Sequence, residues 1–234
     1  MLRWEILVVL ISLFPGLLMA EAYTGKIVID GVVVGEGGSG VVTGNGQRSR
    51  QRRPLPCFSE ITVRAGVDLV VRRGTQCEVI VEADDNLIPL IDTEVSGGRL
   101  ILSTARSFQS QGRVRVEATT NRLERLEVEG ASDVRLTGID SPSLAILLSG
   151  SGDVTGEGRV GRLAVDVSGS GDIRLGRLRA EDVKIRITGA ADAEVHAARS
   201  LKVDLEGSGD VLYFGNPAHV EKNIRGAGDV EAAE

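Results

Sequence analysis

Aromatic side chains are nearly absent. The 234 residues include one Trp, two Tyr and four Phe, 3% of the chain. That scarcity argues against a sugar-stacking surface and against the base-stacking surfaces of single-strand nucleic-acid binders. A formal net charge of −6 points the same way, because a nucleic-acid partner calls for a basic footprint. Histidine and cysteine occur twice each. His196 and His219 have no motif partner, so neither a Ser–His–Asp arrangement nor a zinc site can be assembled around them. Long apolar runs at helical spacing are also missing, and glycine interrupts every candidate. This leaves an all-β chain. No catalytic residue is expected.

Glycine is what the chain has in quantity, with 30 residues, and six of them open a repeated turn. The copies are Gly130-Ala131-Ser132-Asp133, Gly150-Ser151-Gly152-Asp153, Gly169-Ser170-Gly171-Asp172, Gly189-Ala190-Ala191-Asp192, Gly207-Ser208-Gly209-Asp210 and Gly226-Ala227-Gly228-Asp229. Successive aspartates lie 20, 19, 20, 18 and 19 residues apart. A fixed turn at a period of about 19 marks a solenoid. The aliphatics before each turn alternate with mostly polar residues, as in Leu163, Val165, Val167 and in Val183, Ile185, Ile187. Period-two alternation predicts a strand with one buried face. A shorter strand follows each turn, as at Asp172–Leu175, and glycine recurs where the chain must bend, at Gly138, Gly156, Gly176 and Gly215. The repeat is therefore about the length of one coil of a parallel β-helix-like solenoid. Counting back from the turn glycines aligns Glu127, Leu147, Asp166, Arg186, Asp204 and Asn223 on the outer face. Asp166, Arg186 and Asp204 then alternate in sign, as a correct register requires.

Three segments are expected: a signal peptide over 1–22, a Gly-rich and basic segment over 23–54, and the solenoid domain over 55–234. Arg3, the apolar run Ile6–Phe14, the Pro15-Gly16 break and the small residues Ala20 and Ala22 have the layout of a cleaved secretory signal. The run is short for a bilayer span, so no transmembrane segment is expected after cleavage. No cysteine follows the run, so no lipid anchor is expected either. The stretch Arg48, Arg50, Arg52, Arg53 is read as a solvated linker, with contact to an anionic glycan or lipid surface as the alternative. Residues 103–112 read as a mobile polar loop. Cys57 and Cys77 lie 20 residues apart, about one coil. A disulfide between them is plausible in an oxidising compartment, and two unpaired buried thiols are the alternative.

Stacked coils would place Asp133, Asp153, Asp172, Asp192, Asp210 and Asp229 in one ladder. The structural reading is that each accepts hydrogen bonds from the amides of its own turn. The alternative is calcium, which takes carboxylate oxygens, so the six are weak calcium candidates. A second acidic cluster, Asp84-Asp85-Asn86 with Asp92 and Glu94, is expected to open a short helical turn before Pro89 with Asp85 as its cap. The Gly-Ser-Gly strings are not phosphate loops, since no Lys-Ser/Thr follows them.

The export signal, the segments Phe58-Ser59-Glu60-Ile61-Thr62-Val63 and Val81-Glu82-Ala83-Asp84-Asp85-Asn86-Leu87, the run Gly98-Arg99-Leu100-Ile101-Leu102 and the repeated Gly-Ser-Gly-Asp copies together resemble the head GIN domain family of proposed auto-transporter adhesins. The resemblance covers residues 55–232. It implies an exported bacterial protein with a right-handed parallel β-helix-like fold, periplasmic, surface-displayed or secreted, and it transfers no catalytic residues. The expected function is a non-enzymatic envelope protein, an adhesin or scaffold binding an envelope protein or glycan through a solenoid face. A polysaccharide-active β-helix enzyme and an envelope sensory domain are the alternatives. Terminal coils with open edges make self-association plausible.

Overall fold

The computed structural model describes residues 26–29, 32–36 and 41–233. The signal segment expected over 1–22 lies outside the described residues. The chain divides into two compact units, residues 1–40 and 41–234. In the first, β1 (Lys26–Ile29) and β2 (Val32–Glu36) form an antiparallel pair. The second unit carries the solenoid, and it begins earlier than the boundary expected at residue 55. Its extra strands are β3 (Val42–Thr43) and β4 (Arg48–Arg53), which are hydrogen-bonded into the body.

The remaining strands follow in chain order. β5 (Glu60–Val63), β6 (Asp68–Arg73) and β7 (Glu78–Asp84) precede a single 3-10 turn at Ile88–Leu90. After it come β8 (Ile91–Ser96), β9 (Arg99–Thr104), β10 (Phe108–Gln109), β11 (Arg115–Thr120) and β12 (Arg125–Gly130). Four long strands fill the repeats: β13 (Val134–Gly150), β14 (Val154–Gly169), β15 (Ile173–Gly189) and β16 (Ala193–Gly207). β17 (Val211–Phe214), β18 (His219–Gly226) and β19 (Val230–Ala232) close the list. In four repeats the two strands expected are one continuous parallel-bonded strand, whose bends survive as register irregularities, for instance between Leu136 and Ile139 and between Leu175 and Arg179. Between Asp210 and Asp229 the two strands, β17 and β18, stay separate on either side of Gly215.

Stacking order and chain order part company in the first half. β5 and β6 form one coil, joined by the worn turn Ala65-Gly66-Val67. β9 lies parallel beneath β5 and β12 lies parallel above it. β11 lies parallel beneath β6 and the start of β13 lies above it. The coil made first is thus held between a coil made later and the regular repeats. Below this layer the direction reverses: β8 runs antiparallel to β9, β7 antiparallel to β11, and β4 antiparallel to β7. Residues 103–112 are not a free loop, since β10 pairs in parallel with β3 and Phe108 packs on the core.

Inward side chains form ladders through the stack. One runs Leu100, Ile61, Leu126, Ile146, Val165, Ile185, Val203, following the strand registers. All are buried, and each contributes about 1.5–3 kcal/mol on leaving water. The outer column aligns as the repeat count requires, from Glu127 through Leu147, Asp166, Arg186 and Asp204 to Asn223. Cys57 and Cys77 are joined by a disulfide. It ties the approach to β5 to the approach to β7 and leaves no free cysteine among the described residues.

Candidate binding groove along the aspartate ladder

The ladder begins with its turns. At Gly169 the backbone has φ +144, and an added Cβ would sit 2.1 Å from the Gly150 carbonyl oxygen in the coil below. Both conformation and space therefore demand glycine. Gly150, Gly189, Gly207 and Gly226 repeat the arrangement. The close approach lets the next amide bond downward: Ser170 N–H donates to Gly150 O at 3.0 Å, and Ser151, Ala190, Ser208 and Ala227 do likewise.

The first five aspartates do not serve their own turns. The Oδ1 of each accepts the backbone N–H of the aspartate one coil above: Asp133 from Asp153 at 3.1 Å, Asp153 from Asp172 at 3.0 Å and Asp172 from Asp192 at 3.3 Å. Asp192 and Asp210 accept from Asp210 and Asp229, both at 2.9 Å. The ladder is a side-chain-to-backbone staple between coils, and this corrects the own-turn expectation. The physical reason is the spacing of stacked strands, about 4.8 Å, which one short carboxylate spans. Among the described residues no three His, Cys, Asp or Glu side chains gather as a metal-holding group.

Arg174 binds two rungs at once, its guanidinium lying 2.7 Å from Asp153 Oδ2 and 2.7 Å from Asp172 Oδ2. Partial burial pushes the Asp153 carboxyl up, but the Arg174 hydrogen bond, the Asp172 amide and the Arg174 charge outweigh it, and the net shift is downward. The same contacts raise Arg174, with the Asp153 hydrogen bond the largest cause.

A groove runs beside these rungs as a chain of connected hollows. Cavities of about 290 and 230 Å³ share Arg135, Thr155 and Arg174. The first meets a cavity of about 330 Å³ at Arg174 and Glu194, and that one meets a last hollow of about 130 Å³ at Asp210 and Leu212. Arg113, Arg115, Arg135, Arg174 and Arg177 line the first two hollows of the groove, interleaved with Asp68, Asp133, Asp153, Glu157 and Glu194. Asp192, Glu194, Asp210, Asp229 and Glu231 line the part nearest the C-terminus. The strand register shows the change within one column, where Arg135, Thr155 and Arg174 give way to Glu194, Leu212 and Glu231. Arg113 pairs with Asp68 at 3.2 Å. Among the described residues Arg115, Arg135 and Arg177 have no ion pair or hydrogen bond, so their guanidinium donors face solvent. Sequence reasoning missed this groove. The signal was in the residue two places past each aspartate, which is Arg at 135 and 174.

The stretches of β13 to β16 that precede their turns carry a more open hollow of about 440 Å³, where Ala145 and Ala164 lie among Arg162, Lys184 and Lys202. Beside it the Arg199 guanidinium, and after it the Ser200 hydroxyl, hold the Asp182 carboxyl well below its ordinary value.

Other sequence candidates fall elsewhere. The basic run is neither linker nor free anion-binding surface. As β4 it lies against β7, where Arg48 meets Glu82 and Asp84, Arg50 meets Glu117 and Arg52 meets Glu78. Arg53 donates to the Ile88 and Ile91 carbonyls. Asp85 does not cap the helical turn. Leu87 occupies that place with no side-chain cap bond, because Asp85 accepts from Asn45 instead. Asp84 is fully buried and takes a hydrogen bond from Ser110. Asp92 and Glu94 stand exposed on β8. His196 aligns with Phe214 and His219 with Ser200, so the two do not converge.

A parallel β-solenoid with a long, charged, open groove belongs to the class of repeat folds that present extended surfaces to elongated ligands. Residues 57–217 match the family described as "Putative auto-transporter adhesin, head GIN domain", and the chain belongs to that family. Among solved structures it is similar to a "putative adhesin" from Bacteroides fragilis, at 21% identity and a TM-score of 0.70, over 82% of this chain and 100% of that one. It is also similar to a "putative adhesin" from Parabacteroides distasonis, at 21% identity and a TM-score of 0.53, over 83% of this chain and 100% of that one. A "putative lipid binding protein" from the same species matches at 20% identity and a TM-score of 0.50, over 83% and 100%. No curated protein sequence matches the chain. Among the described residues no helix is long and apolar enough to cross a membrane.

Proposed function

We propose that the protein is an exported, non-enzymatic adhesin of the bacterial envelope whose ladder groove holds an extended, acidic glycan. Family membership supports the adhesin class and a location outside the cytoplasm. The observation that carries the ligand class is the set of unpartnered arginines, Arg115, Arg135 and Arg177, along one end of the groove. A guanidinium offers a planar fork of donors that fits a carboxylate or sulfate in two bonds. Recognition by charge suits a chain with only 3% aromatic residues to stack on sugars. The C-terminal hollows, where carboxylates outnumber the single arginine, repel a polyanion, so its acidic groups sit on Arg115, Arg135 and Arg177 among the carboxylates of the first two hollows.

A glycan array comparing acidic with neutral chains tests this. Acidic glycans are retained, and binding weakens as added salt shortens the screening length. Arg135→Glu and Arg177→Glu each weaken retention by about tenfold, equal to about 1.4 kcal/mol. Neutral glycans bound equally well, or variants bound as tightly as the parent, would remove the proposal. Shortening of the bound glycan during incubation would replace the adhesin with an enzyme.

A further inference from the structure

The last described coil of the stack exposes residues that its register turns inward. β18 is bonded on one side to β16, and among the described residues nothing pairs with its other edge. All eight of its residues are exposed. Yet the register continues the core ladders into it: Val220 stands over Leu201, Lys222 over Val203 and Ile224 over Leu205. Val220 and Ile224 are each 40% exposed, unlike every inward residue below them. Between them Lys222 donates its ammonium to Val230 O of β19 at 2.6 Å and lies 5.4 Å from the Tyr213 ring centre. The opposite end of the stack is finished differently, with antiparallel strands laid beneath it.

We infer that this end docks a second copy of the chain, through antiparallel pairing of β18 with its own counterpart across a two-fold axis at Asn223. The argument is charge complementarity. Opposed residues of an antiparallel pair project to the same face, so inward residues must meet inward residues and only alternate registers are allowed. Centring on Glu221 opposes two carboxylates, and centring on Lys222 opposes two ammonium groups. Centring on Asn223 places Glu221 opposite Arg225 of the second copy, twice, with Lys222 opposite Ile224 and Asn223 opposite Asn223. Within one copy Glu221 already pairs with Lys202, and Arg225 pairs with Glu206 at 2.8 Å. The joined column therefore reads Lys202, Glu221, Arg225, Glu206 across the junction, alternating in sign throughout. Head-to-tail joining would set β18 against β8, whose outward residues include Asp92 and Glu94, and it offers no matching cations for Glu221.

Sedimentation velocity on the exported protein over a concentration series is the test, joined with cysteine cross-linking. The parent sediments as a concentration-dependent dimer. Ile224→Lys weakens the dimer by roughly tenfold or more while leaving the melting midpoint close to the parent's, because Ile224 is already part-exposed. Asn223→Cys forms a covalent dimer on mild oxidation, since directly opposed residues have Cα atoms about 4.5–5.5 Å apart, within disulfide reach. Asp204→Cys, one coil lower in the same column, forms none. A parent that stays monomeric at every concentration, an open-ended series of larger species, or a dimer in which Asn223→Cys does not cross-link would each overturn the inference.

Discussion

Three glycines separate the two reasons a solenoid turn can require glycine. Gly169 combines a left-sided backbone, φ +144, with an added Cβ 2.1 Å from Gly150 O. Gly130 has φ +101 with nothing within 4 Å of an added Cβ. Gly66, in the worn turn, has no positive φ and equally open space. A non-glycine residue in such a backbone costs about 1–3 kcal/mol. At Gly169 the coils must also part by more than an ångström, because ordinary Cβ contacts begin near 3.4 Å. That parting breaks the 3.0 Å bond from Ser170 N–H to Gly150 O, a further loss of about 1 kcal/mol, with packing losses added. Gly169→Ala is therefore expected to lose about 3–4 kcal/mol, Gly130→Ala about 1–3 kcal/mol, and Gly66→Ala almost nothing. Denaturant unfolding of the three variants, followed by far-ultraviolet circular dichroism, measures the order. Equal losses at Gly169 and Gly130 would show that the close approach of coils is not what the glycine serves. A large loss at Gly66 would show that neither reason is sufficient.

Two further predictions concern the rungs. Asp192→Ala leaves the Asp210 amide without its acceptor and lowers stability by about 1 kcal/mol. Asp192→Asn keeps an Oδ1 acceptor and stays close to the parent in the same unfolding assay. Asp153 has its folded-state pKa held below the ordinary 3.8, so its contribution is present above that value and is lost as pH falls through the lower folded one. Acid unfolding from about pH 4 downward should accordingly be shallower in Arg174→Ala, where the carboxyl has lost its partner. An unchanged acid transition in that variant would refute the assignment to the Asp153–Arg174 pair.

The repeats were readable because each carries a turn that stacking makes nearly obligatory, and because Val, Leu and Ile recur at period two between the turns. The outer column from Glu127 to Asn223 follows from that register alone. The lower half was not readable in the same way. β5 finds its neighbours in β9 and β12, chosen by edge geometry and burial rather than by sequence distance, and no local pattern announces such pairing. The arginines of β4 carry a linker's composition, and only the carboxylates of β7 and β11 across from them make a strand of it. The aspartates announced their position, but their partner is one coil away in space and about 19 residues away in sequence. A local turn motif does not report that. The groove emerged for the same reason, as a property of neighbouring coils read across the strands.

The displaced coil at the base constrains the history of each molecule. A chain emerging N-terminus first presents β5 and β6 before either of their neighbours exists. Both edges of that coil stay unsatisfied until β9 and β11 slide beneath it and β12 and β13 settle above. Growth therefore runs outward from an interior seed in two directions, to β9 and β11 on one edge and to β12 and β13 on the other. Long-range closure of this kind is slow, and an edge left waiting is open to the wrong strand. The half of the sequence without a visible repeat thus supplies the layer on which the repeating half stacks.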